Sequence, residues 1–143
     1  MIKNELGSRL SSLGDYTKSL DYSVEALALS EEIGDPKFKY YSLNNLADLN
    51  ILIGEYEKGN AYQKQLIELH QRLGFGLTAL SNLYNSVGEN YRLSEKHKEA
   101  IVSYEKSISF AQSALDSLVP ISNIADVYVR MDSLPKAFQK AYE

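Results

Sequence analysis

Apolar side chains recur along this chain at intervals of three and four, and the runs they form are broken at regular places. Tyr84, Val87 and Tyr91 fall on one face of a helix, and Ile101, Tyr104 and Ile108 on one face of the next; that spacing is helical, not strand-like. Ser94-Glu95-Lys96-His97 interrupts the periodicity between them. Equivalent interruptions stand at Leu13-Gly14-Asp15-Tyr16, Ile53-Gly54-Glu55-Tyr56 and Met131-Asp132-Ser133-Leu134-Pro135. Gly54 follows Gly14 by 40 positions, Glu95 follows Gly54 by 41, and Asp132 follows Glu95 by 37. Further boundaries lie between these turns. Gly34-Asp35-Pro36 supplies a left-handed helix end, a capping carboxylate and a first-turn proline in succession. Gly74 and Gly76 mark the next boundary, and Asp116 or Ser117 with Pro120 the last. The pattern predicts an all-α chain of eight helices in four antiparallel pairs. The repeats run roughly over 1–34, 35–74, 75–115 and 116–143, the last one truncated, within a single domain spanning 1–143.

Small residues sharpen this reading. The first helix of each pair carries Gly7, Ala47, Gly88 or Ala125, and twelve positions later the second helix carries Ser19, Gly59, Ala100 or Ala137. Two helices in a tight hairpin approach closely at one crossing, where a larger side chain would force the axes apart. All eight positions meet that demand.

These residues resemble the tetratricopeptide repeat, whose pattern runs aromatic, Leu-Gly, Tyr in the first helix and Ala, aromatic, Ala in the second. The third copy matches with Tyr84, Val87-Gly88, Tyr91, Ala100 and Tyr104. The first matches with Leu6-Gly7, Leu10, Tyr16, Ser19 and Ala26, and the fourth with Ile121, Ile124-Ala125, Tyr128 and Ala137. Asn50 and Gln63 stand where aromatics are usual, and His97 where Tyr is usual. The resemblance implies an α-solenoid coiled into a right-handed superhelix. Repeats near 40 residues are similar to the long-helix subclass of bacterial peptide-sensing regulators and histidine-kinase sensory regions, and of signalling adaptors.

In such a solenoid one face of the first helices lines a concave groove. With Tyr84, Val87, Gly88 and Tyr91 directed to the core, the opposite stripe of the third pair is Asn82, Asn85, Glu89 and Arg92. The same stripe is Tyr41, Asn44, Asp48 and Ile51 in the second pair, and Val119, Ser122, Asp126 and Val129 in the fourth. Asn44, Asn45, Asn85 and Asn123 suit an extended peptide, because an amide both donates and accepts. Asn45 and Asn123 serve equally well as ties between adjacent repeats. The family's best-known groove holds a terminal carboxylate with Lys, Arg and Asn, whereas the matching positions here are the acids Asp48, Glu89 and Asp126, with Arg92 and Arg130 nearby. The expected partner is a protein or peptide segment that is neutral or basic, bound less tightly as salt rises.

Composition narrows the function further. The net charge is −4 and the 15 Lys and Arg are scattered, which argues against nucleic acid. No run approaches the ~18 apolar residues of a membrane span, so membrane insertion is not expected. The chain has no Cys, which removes disulfides, thiolate chemistry and Cys-ligated zinc. Met1 to Leu10 lacks the basic and apolar runs of a secretory signal, leaving a cytoplasmic location as the default.

No catalytic set assembles from these residues. His97 reads as a packing residue and His70 as a solvated one, and two distant His do not make a metal site. Gly74-Phe75-Gly76 lacks the Gly-Lys-Ser/Thr of a phosphate loop. Lys37, Lys39, Tyr40 and Tyr41 interleave base with aromatic, but at a helix entrance. The sequence thus implies a protein-binding scaffold that is not an enzyme and uses no cofactor or metal. The rival reading is the ligand-sensing input domain of a larger signalling protein. With no polar capping helix after Lys140-Ala141-Tyr142, the expectation is either a segment of a longer protein or self-association through the open end.

Overall fold

The computed structural model describes the backbone of residues 15–141 and the side chains of residues 15–132. The turn expected at Leu13-Gly14, the match at Leu6-Gly7 and Leu10, and the side chain of Ala137 lie outside the described residues. Among the described residues there are six helices and no strand: α1 (Tyr16–Ile33), α2 (Pro36–Leu52), α3 (Tyr56–Leu73), α4 (Leu77–Leu93), α5 (His97–Phe110) and α6 (Ala114–Ala141). The fold is all-α, of the α-solenoid class. The chain divides into two compact units, Met1–Gly74 and Phe75–Glu143.

In the first unit α2 packs against both α1 and α3. The start of α2 is fixed as its sequence dictates: Pro36 occupies the first turn, and the Asp35 carboxylate accepts from the backbone N–H groups of Lys37 and Phe38 at 3.0 and 3.1 Å, satisfying donors that a helix start leaves open. Along α1 the buried positions are Ser19, Ser23, Ala26 and Ser30, a stripe so small that α2 can lie close over it. The hydroxyls of Ser19 and Ser30 donate back to the carbonyls of Asp15 and Leu27, which satisfies these two, while the buried Ser23 hydroxyl has no partner among the described residues. The α2–α3 hairpin turns at Gly54, whose φ is 83°, a value that disfavours any residue with a Cβ. Its crossing is tight: a Cβ built on Gly59 would stand 2.7 Å from Ile51 Cγ1 and 3.3 Å from the Ala47 carbonyl oxygen. Ile51, expected on the groove stripe, therefore faces the partner helix. Asn50 replaces an aromatic by turning its amide inward to its own helix, donating to the Leu46 carbonyl at 2.7 Å.

His70 corrects an expectation. It is buried, with 1% of its surface exposed, and its Nδ1 lies 3.5 Å from the Tyr40 hydroxyl. Its position four residues after Leu66 and three after Ile67 puts it on the inner face of α3, where an isolated reading of neighbouring Glu68 and Arg72 suggested solvent.

In the second unit α4 and α5 form the closest pair. Glu95 takes the left-handed conformation (φ 62°) that Gly54 takes in the preceding turn, and the Lys96 N–H closes it on the Tyr91 carbonyl at 2.8 Å. Tyr104 is fully buried with its ring against Gly88, so that a Cβ there would meet ring carbons at 2.5, 2.6 and 3.0 Å. Farther along, Ser81 and Ser107 each donate to the other's carbonyl at 2.8 Å, and Tyr84 stacks on Phe110 at 5.4 Å. α6 completes the core, placing Val127 beside Ala100 and Tyr104, with Tyr91, Ile101, Ile124 and Met131 around them.

The fourth turn does not form. Ala114–Ala141 is one helix of 28 residues, so the described residues hold six helices where seven of the eight expected would fall, the first lying outside them. The sequence Met131-Asp132-Ser133 contains no glycine, and a left-handed residue other than Gly costs about 1–2 kcal/mol. At Glu95 that cost is offset by α5 packing on α4. A proline at 135 removes one backbone bond from a helix without by itself creating a reversal. Consequently Ala125, expected at a helix crossing, is exposed.

Gly88→Ala tests the crossing. A Gly-to-Ala change inside a helix is worth up to about 1 kcal/mol in its favour, but Tyr104 is enclosed and cannot withdraw. Overpacking of this kind costs about 1–3 kcal/mol, so urea denaturation is expected to show net destabilisation. An unchanged or raised midpoint would contradict the packing described.

Candidate functional site

The expected groove residues divide between the units. In the first, Tyr41, Asn44, Asn45 and Asp48 follow one another along α2. Tyr41 is 64% exposed and meets Tyr40 edge-on at 6.1 Å. Asn44 Nδ2 donates to Asp48 Oδ2 at 3.0 Å, as residues four apart on a helix can. Partial burial raises the Asp48 pKa by more than this bond lowers it. Asn45 is half-buried.

In the second unit α4 and α6 bring most of the remaining candidates together. Asn123 Nδ2 donates to Asn85 Oδ1 at 3.1 Å, leaving the Asn85 NH2 and the Asn123 carbonyl outside that bond. One turn further on, Glu89 receives two side chains: Arg92 donates through Nε at 3.2 Å and Nη2 at 2.8 Å to Oε2, and the Tyr104 hydroxyl donates to Oε1 at 2.6 Å. Arg92 also reaches Asp126 at 4.0 Å, and Arg130 Nε lies 2.8 Å from the same carboxylate. Asn82 and Ser122 are exposed.

The electrostatics follow from these partners. Burial alone would raise the Glu89 pKa, but the hydrogen bonds from Arg92 and Tyr104 outweigh it and hold the carboxyl below its ordinary value. The Tyr104 hydroxyl is pushed up, first by burial and then by the acceptor it serves. Glu89 and Asp126 are thus each answered by an arginine, and the acids form a charge-balanced network within this unit. Two of its members, Arg130 and Tyr104, were not among the expected site residues. Arg130 was signalled by its place four residues after Asp126. Tyr104 carried no such signal, because its ring fulfils the core position of the repeat and only the structure shows where the hydroxyl points. Among the described residues no group of three His, Cys, Asp or Glu is placed to hold a metal ion, and no helix is long and apolar enough to cross a membrane.

Antiparallel helix pairs, closed on small residues and carrying a polar stripe of amides and paired charges, define a helical-repeat protein. Family models described as tetratricopeptide repeat match residues 38–113 and 1–33, and the chain belongs to the tetratricopeptide repeat family. It is 30% identical to the photosystem I assembly protein Ycf3 of Rippkaea orientalis over 102 residues, 71% of this chain and 57% of that protein. To Ycf3 of Cyanophora paradoxa it is 30% identical over 83 residues, 58% of this chain and 46% of that protein. The chain spans about half the length of these relatives. Among solved structures, BtubC (BKLC) from P. vanneervenii matches with a TM-score of 0.79 at 23% identity, covering 96% of this chain and 58% of that one. The TPR2AB domain of yeast Sti1, solved in complex with pHSP90, matches at 0.69 and 19% identity, covering 98% and 49%. At these identities the likeness is one of fold.

Tyr104→Phe probes the network. A hydrogen bond to a charged group is worth about 1.5–3 kcal/mol, and with the Glu89 side chain 34% exposed solvent screening reduces this to about 1 kcal/mol. A carboxyl whose folded pKa is lowered stabilises the protein above the unfolded value near 4.3 and loses that contribution as pH falls through the folded one. The variant is therefore expected to be weaker than the wild type at pH 7, with the gap narrowing toward pH 3 in chemical denaturation. A gap of equal size at both pH values would show that Glu89 is not the acceptor.

Proposed function

We propose that this chain is a non-catalytic scaffold that holds a segment of another protein on the polar stripe of its first helices. The observation that carries the reading is the Asn85–Asn123 pair beside a charge-balanced network. An amide pair offers one donor and one acceptor to a peptide backbone, while the Glu89–Arg92 and Asp126–Arg130 pairs leave no net charge to attract an acidic segment. Asn44 and Asp48 offer similar chemistry on α2. Within the second unit the bound segment is neutral or basic, since Arg92 and Arg130 are committed to Glu89 and Asp126 and are not available to an acidic one. The photosystem I assembly role named for the Ycf3 relatives and the pHSP90 complex formed by the Sti1 domain support a protein partner.

Selection from a displayed random-peptide library tests the proposal. Peptides retained by the wild type are expected to be neutral or basic. Two backbone hydrogen bonds of about 1 kcal/mol each make the expected loss in Asn85→Ala, Asn123→Ala about tenfold or more in Kd, with the circular dichroism melt retained. Enrichment of acidic peptides, or equal affinity in the double variant, would count against this assignment.

A further inference from the structure

The face of α6 directed away from α5 is apolar. Leu115, Leu118, Val119, Ile121, Tyr128 and Val129 are 75, 58, 58, 51, 53 and 65% exposed. On α4 the counterparts of Ile121, Ala125 and Tyr128 are covered: Tyr84 and Tyr91 are half-buried and Gly88 lies under Tyr104. The centre of the open face runs through Leu115, Leu118, Ser122, Ala125, Val129 and Asp132, separated by 3, 4, 3, 4 and 3 positions. This is the seam spacing of a two-helix coiled coil.

We propose that the occupant of this face is a second copy of the chain, with the two α6 helices antiparallel about a two-fold axis between Ser122 and Ala125. The order of side-chain sizes along the seam is what selects this arrangement. In that register Ser122 stands against Ala125 of the partner copy, so the axes approach closely at the centre. Leu118 stands against Val129 on either side and fills the wider gap. Ile121 lies beside Tyr128 of the other copy along one flank, and symmetry repeats the contact. Leu115 meets Asp132 only at the ends, where the carboxylate remains in water. A parallel in-register pair instead places Asp132 on Asp132 within the seam, where two like charges lose hydration without a partner. Closing this face on both copies removes on the order of 1,200 Å² from solvent, the lower end of stable interfaces, so association is expected to depend on concentration. Asn85, Glu89, Arg92 and Asn123 are not in the seam, whereas Ser122 and Val129 belong both to it and to the expected groove stripe of α6; Asn85→Ala with Asn123→Ala leaves the seam intact, so failure of the peptide-binding reading and failure of this proposal are told apart.

Light scattering across a concentration series is expected to show the mass rising from 16.1 kDa toward twice that value. Leu118→Lys with Val129→Lys, both exposed in the single chain, should remain monomeric with unchanged helicity. Because the chain has no Cys, cross-linking reports the register cleanly. A mixture of Leu118→Cys and Val129→Cys chains should join through a short thiol cross-linker, whereas Leu118→Cys alone should not, its two copies being offset by 11 residues, about 16 Å of helix rise. A monomer at every concentration overturns the proposal. So does a dimer indifferent to the lysine pair, or cross-linking of Leu118→Cys to itself, which would mean parallel pairing.

Discussion

Everything else in this fold depends on how closely the two helices of a pair approach. Short residues line the crossings, with Ser19, Ser23, Ala26, Ala47, Gly59, Gly88 and Ala100 all buried, and the close approach they permit brings the larger buried side chains, such as Leu43, Leu46, Leu66 and Leu80, into contact at short range. Where one partner is reduced to a hydrogen, the other can be large. Tyr104 is the fullest example: the missing side chain at Gly88 makes the space into which its ring fits. The same placement carries its hydroxyl through the pair to Glu89. A packing constraint in the core thereby fixes the position of a carboxylate on the polar stripe proposed for binding.

Much of the fold is legible in the sequence because it is dictated locally. Asp35-Pro36 states where α2 begins, Gly54 states where it must turn, and the small residues at Ala47 and Gly59 and at Gly88 and Ala100 identify which helices touch, although the same pattern at Ala125 does not. Each of these is a short-range requirement of backbone geometry. What escaped the sequence depended on energetic balance over a longer range. The expected turn at Glu95 forms in a backbone conformation that favours glycine because α5 gains enough by folding back, whereas Met131-Asp132-Ser133 stays helical although its position in the repeat suggested a turn. His70 shows the same limit in a side chain, since polar neighbours in sequence conceal the face on which the helix places it.

The stripe was legible as a set of positions but not as a set of partnerships. Reading Asp48, Glu89 and Asp126 as an acidic line treats each carboxylate alone. Within the second unit, however, Arg92 follows Glu89 by one helical turn and Arg130 follows Asp126 by another, so each acid has a base at the distance where side chains meet. The bidentate geometry at Glu89 adds specificity as well as attraction. The consequence is a surface whose carboxylates are matched in charge, with the Asn85–Asn123 amide pair beside them.

The second unit also shows how one motif acquires two fates. Tyr84, Gly88 and Tyr91 on α4 correspond to Ile121, Ala125 and Tyr128 on α6, and both sets are suited to receive a helix. On α4 that helix is α5, delivered by a turn. On α6 the chain continues straight, and the receiving face is left to water, which an apolar surface of this size does not favour. A face shaped for close helix packing retains that shape whether the incoming helix arrives along the same chain or from another molecule. The repeat architecture thus converts the loss of one turn into a surface with defined register, small at its centre and large at its flanks.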